Sequence, residues 1–213
     1  MLHRRRPRCA AGAAVLLLSA GCGLWPLEPP QRFNGSKYLL PWPEGKIAFV
    51  GQGFIGVFEP HLAYDFVLPE GTLVLAARCG VVTRVVDLHE ANCPLTQDCP
   101  NNLIAIRHGR GDFADPHYET LYLHIQKGSA LVACGEQVRQ GQPIARVGNV
   151  GISMAPHIHF ALRRVGASNE PAHFADIDTF DGEPQFLRFY RSRNGSEPFL
   201  NNDDYCDLTF LCP

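Results

Sequence analysis

The chain has 213 residues, 46% hydrophobic and 19% charged, enough apolar material for one sizeable core with appendages. The formal net charge is −2, and there is no basic stripe, phosphate-cradling glycine loop or dinucleotide fingerprint, so no nucleic-acid or nucleotide partner is expected. None of the eight cysteines has C-x-x-C spacing, which points to disulfides in an oxidising compartment rather than a zinc ribbon.

The N-terminus reads as an export segment. His3 to Arg8 is basic, Ala10 to Ala20 is apolar but too short to span a bilayer, and Ser19-Ala20-Gly21-Cys22 follows. The small residues before Cys22 resemble a bacterial lipobox. Residues 1–22 are therefore expected to be a signal peptide with Cys22 as the lipid-bearing mature N-terminus, the only link to a membrane. Ordinary signal cleavage nearby is the alternative. Residues 23–44 carry Pro26, Pro29, Pro30, Pro41 and Pro43 without periodicity, and read as a tether and strap.

From Lys46 onward, short β-branched runs alternate with Gly/Pro turns. Strands are predicted at Val81–Val86, Leu103–His108, Tyr118–Ile125, Pro143–Val147 and His157–Arg163. No stretch carries a sustained helical period, so the expected fold class is all-β, an antiparallel β-sheet domain over residues 45–166. Glu90 to Asn102, with Cys93 and Cys99, looks like an insertion between two strands. Residues 167–213 are polar and turn-rich and read as an irregular C-terminal extension with one strand near Phe186–Tyr190. Close spacing favours the pairs Cys93–Cys99 and Cys206–Cys212, which would leave Cys79–Cys134, although sequence does not settle connectivity.

Most of the nine histidines have an ordinary reading. His3 lies in the signal, His117 and His173 lie in polar loops, and His108 ends a strand. His89-Glu90 begins like a zincin helix but lacks the second histidine. Three groups remain: His61-x-x-x-Asp65, Tyr122-Leu123-His124 and His157-x-His159. A strand has a side-chain period of two, so His157 and His159 share one face while Ile158, Phe160 and Leu162 take the other. The same alternation sets Tyr122 and His124 opposite Leu121, Leu123 and Ile125. Each group alone fits a half-buried strand histidine or a surface hydrogen-bonded pair. Together they offer four imidazoles and a carboxylate to one groove, and such donors suit a zinc ion with three protein ligands and one open position.

The order His-x-x-x-Asp, central His, His-x-His resembles the signature of the lysostaphin/LytM-type zinc metallopeptidases. Gly71 to Val82, Asn102 to Gly109, Gly135 to Val138, Gly141 to Ile144 and Val147 to Phe160 follow in that family's order, so the resemblance covers about residues 45 to 165. It implies the lysostaphin/LytM-type peptidase fold with a groove, Zn2+ held by His61, Asp65 and His159, and catalytic roles for the non-ligand His124 and His157. One of these two would take a proton from the attacking water and the other would donate to the developing oxyanion, in an order left open. The implied substrate is the peptide part of bacterial peptidoglycan: stem-peptide cross-links or interpeptide bridges. Ala63 stands where the first motif often has glycine, and Ala155 where glycine usually precedes Pro-His. Two other readings stand beside this one: a non-catalytic binding or activator module of the cell envelope, and a secreted zinc protease acting on proteins. Some relatives are latent, with an upstream residue over the metal. Asn34 has the right chemistry for that, although Phe33-Asn34-Gly35-Ser36 reads as an ordinary turn.

Overall fold

The computed structural model describes residues 36–56, 61–94, 98–111, 113 and 116–195. The expected signal, the Cys22 anchor, most of the tether, Asn34 and the Cys206–Cys212 pair lie outside the described residues. The strands in chain order are β1 (Ile47–Gln52), β2 (Tyr64–Val67), β3 (Leu73–Leu75), β4 (Gly80–Val86), β5 (Asn92–Cys93), β6 (Leu103–His108), β7 (Tyr118–Leu123), β8 (Gln137–Val138), β9 (Pro143–Arg146), β10 (Gly151–Ile152), β11 (His157–Arg164), β12 (Asn169–Glu170) and β13 (Phe189–Arg191). The one helical element among the described residues is a 3-10 turn at Phe180–Gly182.

The main sheet runs β13-β1-β2-β11-β7-β6-β4-β8, with β12 on β11, and every pair in it is antiparallel. Opposed residues in such a ladder share a face. Val50, Phe66 and Ile158 form one row across β1, β2 and β11, and Tyr64, Phe160, Tyr122 and Ile104 form the next across β2, β11, β7 and β6. All seven are fully buried. Trp42 stacks obliquely on Phe66 with ring centroids 4.9 Å apart, and Phe174 lies 5.3 Å from Phe160. The two-stranded ribbon of β3 and β9 adds Val74, Ile144 and Ala145 to the same core. Burial of each large apolar side chain contributes about 1.5–3 kcal/mol, so this layer anchors the sheet.

Residues on both sides of the 45–166 segment share this core. Tyr38, Leu40 and Trp42 from the strap, and Ala172, Phe174, Ile177 and Tyr190 from the C-terminal part, belong to it. Buried Asp176 accepts the backbone N–H groups of Leu40 (3.0 Å) and Arg193 (3.1 Å), and β13 extends the sheet beyond β1. The strand expected near Phe186–Tyr190 is β13, which starts three residues later and ends one residue later.

Cys93 and Cys99 form the expected disulfide, closing the insertion between β4 and β6. Cys79 and Cys134 are also disulfide-bonded, but the pairing of these two by elimination does not hold. Cys79 precedes Gly80 at the start of β4, whereas Cys134 Sγ lies 3.2 Å from the Thr83 carbonyl oxygen. Four strand residues span roughly 13 Å, beyond the Cα separation of a disulfide.

Candidate active site

The face of the sheet opposite the core carries a different pair of rows. Phe49, Val67 and His157 lie across β1, β2 and β11, and Asp65, His159, Leu123 and Leu103 lie across β2, β11, β7 and β6. Asp65 and His159 are thus directly opposed, with Asp65 Oδ1 3.0 Å from His159 Nδ1. His61 enters from the segment before β2; its Nε2 is 3.2 Å from Asp65 Oδ1 and 3.2 Å from His159 Nδ1. Two imidazole nitrogens and one carboxylate oxygen therefore close a triangle. Zinc with bonds of about 2.0–2.2 Å in tetrahedral array sets its donors roughly 3.3 Å apart, so this donor set fits such an ion in both type and spacing.

Neighbouring groups fix these donors. The Gly53 carbonyl oxygen lies 3.3 Å from His61 Nδ1 and accepts its N–H, leaving Nε2 with its lone pair toward the triangle. Gln52 Nε2 donates to Asp65 Oδ2 at 3.3 Å. Gln52 reaches that position because the β1–β2 register slips between Val50 and Gln52, a bulge that turns Gln52 onto the site face opposite Asp65.

His157 and His124 complete the cluster. His157 Nδ1 lies 2.8 Å from the Ala155 carbonyl oxygen and 3.1 Å from Ser153 Oγ, while its Nε2 is 3.3 Å from Asp65 Oδ1. His124 Nδ1 lies 2.7 Å from the Val150 carbonyl oxygen. A carbonyl only accepts, so both rings carry the proton on Nδ1 and keep Nε2 as the basic nitrogen. The His124 ring sits 4.5 Å from that of His157 and 5.6 Å from that of His159.

The expected facing of the central strand needs correction. Tyr122 does not share a face with His124 at the groove; it packs in the core against Phe160, and its hydroxyl oxygen accepts the Ala77 N–H at 2.9 Å. Leu123 shares the His159 face. His124 still reaches the groove because β7 ends at Leu123 and His124 has φ +62°, a left-handed residue that reverses the alternation. Ile125 then returns to the core.

The electrostatics follow from three imidazoles meeting one carboxylate oxygen. Burial alone would raise the Asp65 pKa, but His157, His159 and His61 crowd its carboxylate and, in their protonated forms, donate to it, which holds it well below the carboxylate range. Burial pulls the His61 pKa down, and the Asp65 hydrogen bond and charge more than restore it, for a net rise. Burial, with His157 close by, depresses His124 to about 3, so its ring is neutral near pH 7. A second trio, His124, His157 and His159, also has donors within 4.8 Å of one another. It lacks an anionic ligand, whereas the first trio combines a carboxylate with braced donors.

The remaining histidines take ordinary places. His108 is buried, with Nδ1 2.7 Å from the Cys79 carbonyl oxygen and Nε2 2.8 Å from Thr120 Oγ1. His117 and His173 bind backbone carbonyls of Gly109 and Asp181. Gln52, Asn92, Asn101 and Ser153 were not singled out in the sequence. Their only signal is polarity, at strand ends and in loops that meet across long chain separations.

A model of peptidase family M23 matches residues 59–171, more than half of the chain. An uncharacterized metalloprotease of Haemophilus influenzae is 34% identical over 116 residues, covering 54% of this chain and 21% of that protein. The peptidoglycan DD-endopeptidase ShyC of Vibrio cholerae is 34% identical over 116 residues, covering 54% of this chain and 23% of that protein. The chain thus spans about a fifth of the length of these curated relatives. A zinc-containing peptidase of Vibrio cholerae has a solved structure that is 26% identical, with a TM-score of 0.40 over 60% of this chain and 36% of that one. With the family model spanning both ends of the His/Asp cluster, the chain belongs to peptidase family M23.

Proposed function

We propose that this chain is a zinc-dependent endopeptidase that hydrolyses peptide cross-links or bridges of bacterial peptidoglycan. His61 Nε2, Asp65 Oδ1 and His159 Nδ1 would hold the ion. The observation that carries the reading is the closure of these three donors to 3.0–3.2 Å, with two further imidazoles beside them on one sheet face. Zinc in an open site supplies Lewis acidity and brings the ionisation of water toward neutral pH.

The chain's own residues supply the rest. His124 and His157 each present a basic Nε2, because Val150 and Ala155 engage Nδ1. Those carbonyls also stabilise the imidazolium formed when Nε2 takes a proton, a weaker version of what a triad carboxylate does. Once protonated, the same nitrogen can give its proton to the departing amine. Apolar floor lies on both sides, Val67 and Phe49 one way and Leu123 and Leu103 the other, so an extended peptide can cross the strands over the site. Residues 1–22 would export the chain, and Cys22 and the tether would hold the domain at the cell envelope.

The test is mass spectrometry of fragments released from purified sacculi, with and without a chelator. Wild-type protein releases peptides and the chelated protein does not. His159→Ala loses both zinc and activity, whereas His157→Ala retains zinc and loses activity about 10²-fold or more. Fragment release by metal-free His159→Ala protein overturns the assignment. Sacculus binding without any release points to a binding module, and cleavage of denatured protein but not sacculi points to a general protease.

A further inference from the structure

The insertion between β4 and β6 grips both non-ligand histidines. At its C-terminal end, Asn101 Oδ1 accepts the backbone N–H of His124 at 3.2 Å, a bond shared with the Asn102 carbonyl oxygen at 3.1 Å. Asn101 Nδ2 also lies 3.0 Å from His124 Nδ1; with the Nδ1 proton directed at the Val150 carbonyl, this is a close approach of two N–H groups and adds no hydrogen bond. The other side of the Asn101 amide is packed so closely on Gly151 that a Cβ there would sit 2.8 Å from Asn101 Cγ. The next residue continues the grip: Asn102 Nδ2 donates to the carbonyl of Ile125 at 3.1 Å and to that of His89 at 2.8 Å.

The other end of the insertion reaches His157. β5 pairs in parallel with β10, and Gly151 N–H donates to the Ala91 carbonyl at 2.8 Å. Asn92 Nδ2 donates to the carbonyl oxygens of Asn149 and Ser153, both at 2.8 Å. Ser153 Oγ in turn contacts Asn149 Oδ1 at 2.7 Å and His157 Nδ1 at 3.1 Å. The Cys93–Cys99 disulfide closes the loop between the two asparagines.

His124 is the residue that most needs such support. A residue with a side chain at φ near +60° is strained and persists only where its surroundings over-determine it. Four contacts hold it: Asn101 and Asn102 on its N–H, Val150 on its ring, and Asn102 on the next carbonyl. Two of the three groups making them come from the end of the insertion.

We propose that Asn101 is a positioning residue for the reaction, fixing the left-handed backbone of His124 from the disulfide-closed insertion, with Asn92 holding the loop that leads into His157. The proposal rests on the endopeptidase reading for its kinetic arm only. Asn101→Ala removes the acceptor. On a soluble cross-linked muropeptide it lowers kcat at least tenfold and leaves KM within about twofold, with zinc content unchanged. Asn101→Asp keeps an acceptor oxygen and recovers most of kcat. Lys127→Ala breaks the exposed Lys127–Glu90 pair on the same insertion and leaves kcat unchanged.

The second arm needs no activity. In long-range 1H–15N spectra of metal-free protein, wild-type His124 shows one Nδ1–H tautomer. Asn101→Ala, with the His124 backbone loosened, shows exchange broadening at that ring alone. Wild-type kcat in Asn101→Ala, equal losses in the alanine and aspartate variants, or an unchanged His124 spectrum each overturn the proposal. If wild-type protein releases no fragments, the endopeptidase reading fails and the spectra still decide the positioning role.

Discussion

At Gly148 the demand is for space, not for an unusual backbone angle. A Cβ there would lie 2.6 Å from Gln126 N and 2.8 Å from the His124 carbonyl oxygen, both main-chain atoms that cannot swing aside. Gly148→Ala therefore pushes apart the strand ends that carry His124 and His157; His157 is bridged to Gly148 itself, and Ile125, next to His124, is bridged to Val147. The expected cost is about 1–3 kcal/mol, read as a lower denaturation midpoint, with turnover falling further than stability. Individual site residues were legible in the sequence because the His-x-x-x-Asp and His-x-His spacings keep their donors together under any plausible strand register. The orientation of His124 was not, since simple alternation assigns it to the face of Tyr122. Only the φ of +62° separates the two, and a histidine carries no mark of a left-handed turn.

At the scale of elements, the β1 bulge does work that no local pattern announces. Strict alternation along Ile47–Gln52 would send Gln52 inward with Val50 and Ala48; the extra residue at Gly51 sends it out to Asp65. Gln52→Ala frees Asp65 Oδ2 and should weaken zinc affinity about 10–100-fold, measured by competition with a chromophoric chelator, while the sheet stays intact. Strand existence was readable from β-branched runs, and β4, β6, β7, β9 and β11 begin or end within two residues of the sequence expectation. The short β5 and β10 were not readable, being two-residue partners that exist only because the insertion folds back on the loop before Pro156.

For the molecule as a whole, the described segments that flank residues 45–166 are structural. Leu39, Leu40 and Trp42 are buried, and Trp42 Nε1 donates to the Lys46 carbonyl at 3.0 Å. Trp42→Ala should cost about 3–5 kcal/mol, seen as a fall in Tm, and removal of residues 23–40 should destabilise the domain through loss of Leu39 and Leu40. A deletion meant to expose latency must therefore stop before residue 36. Composition marked these segments as appendages because they are rich in proline and polar residues, and their few buried side chains are too sparse to show a period. The covalent staple at Cys93 and Cys99 carries a last implication. It forms only where thiols are oxidised, and cytosolic thiols are kept reduced. If the proposed function holds, a newly made chain with these thiols still reduced would hold His124 and His157 on a slack support, and would reach full strength only once the staple has closed in an oxidising compartment.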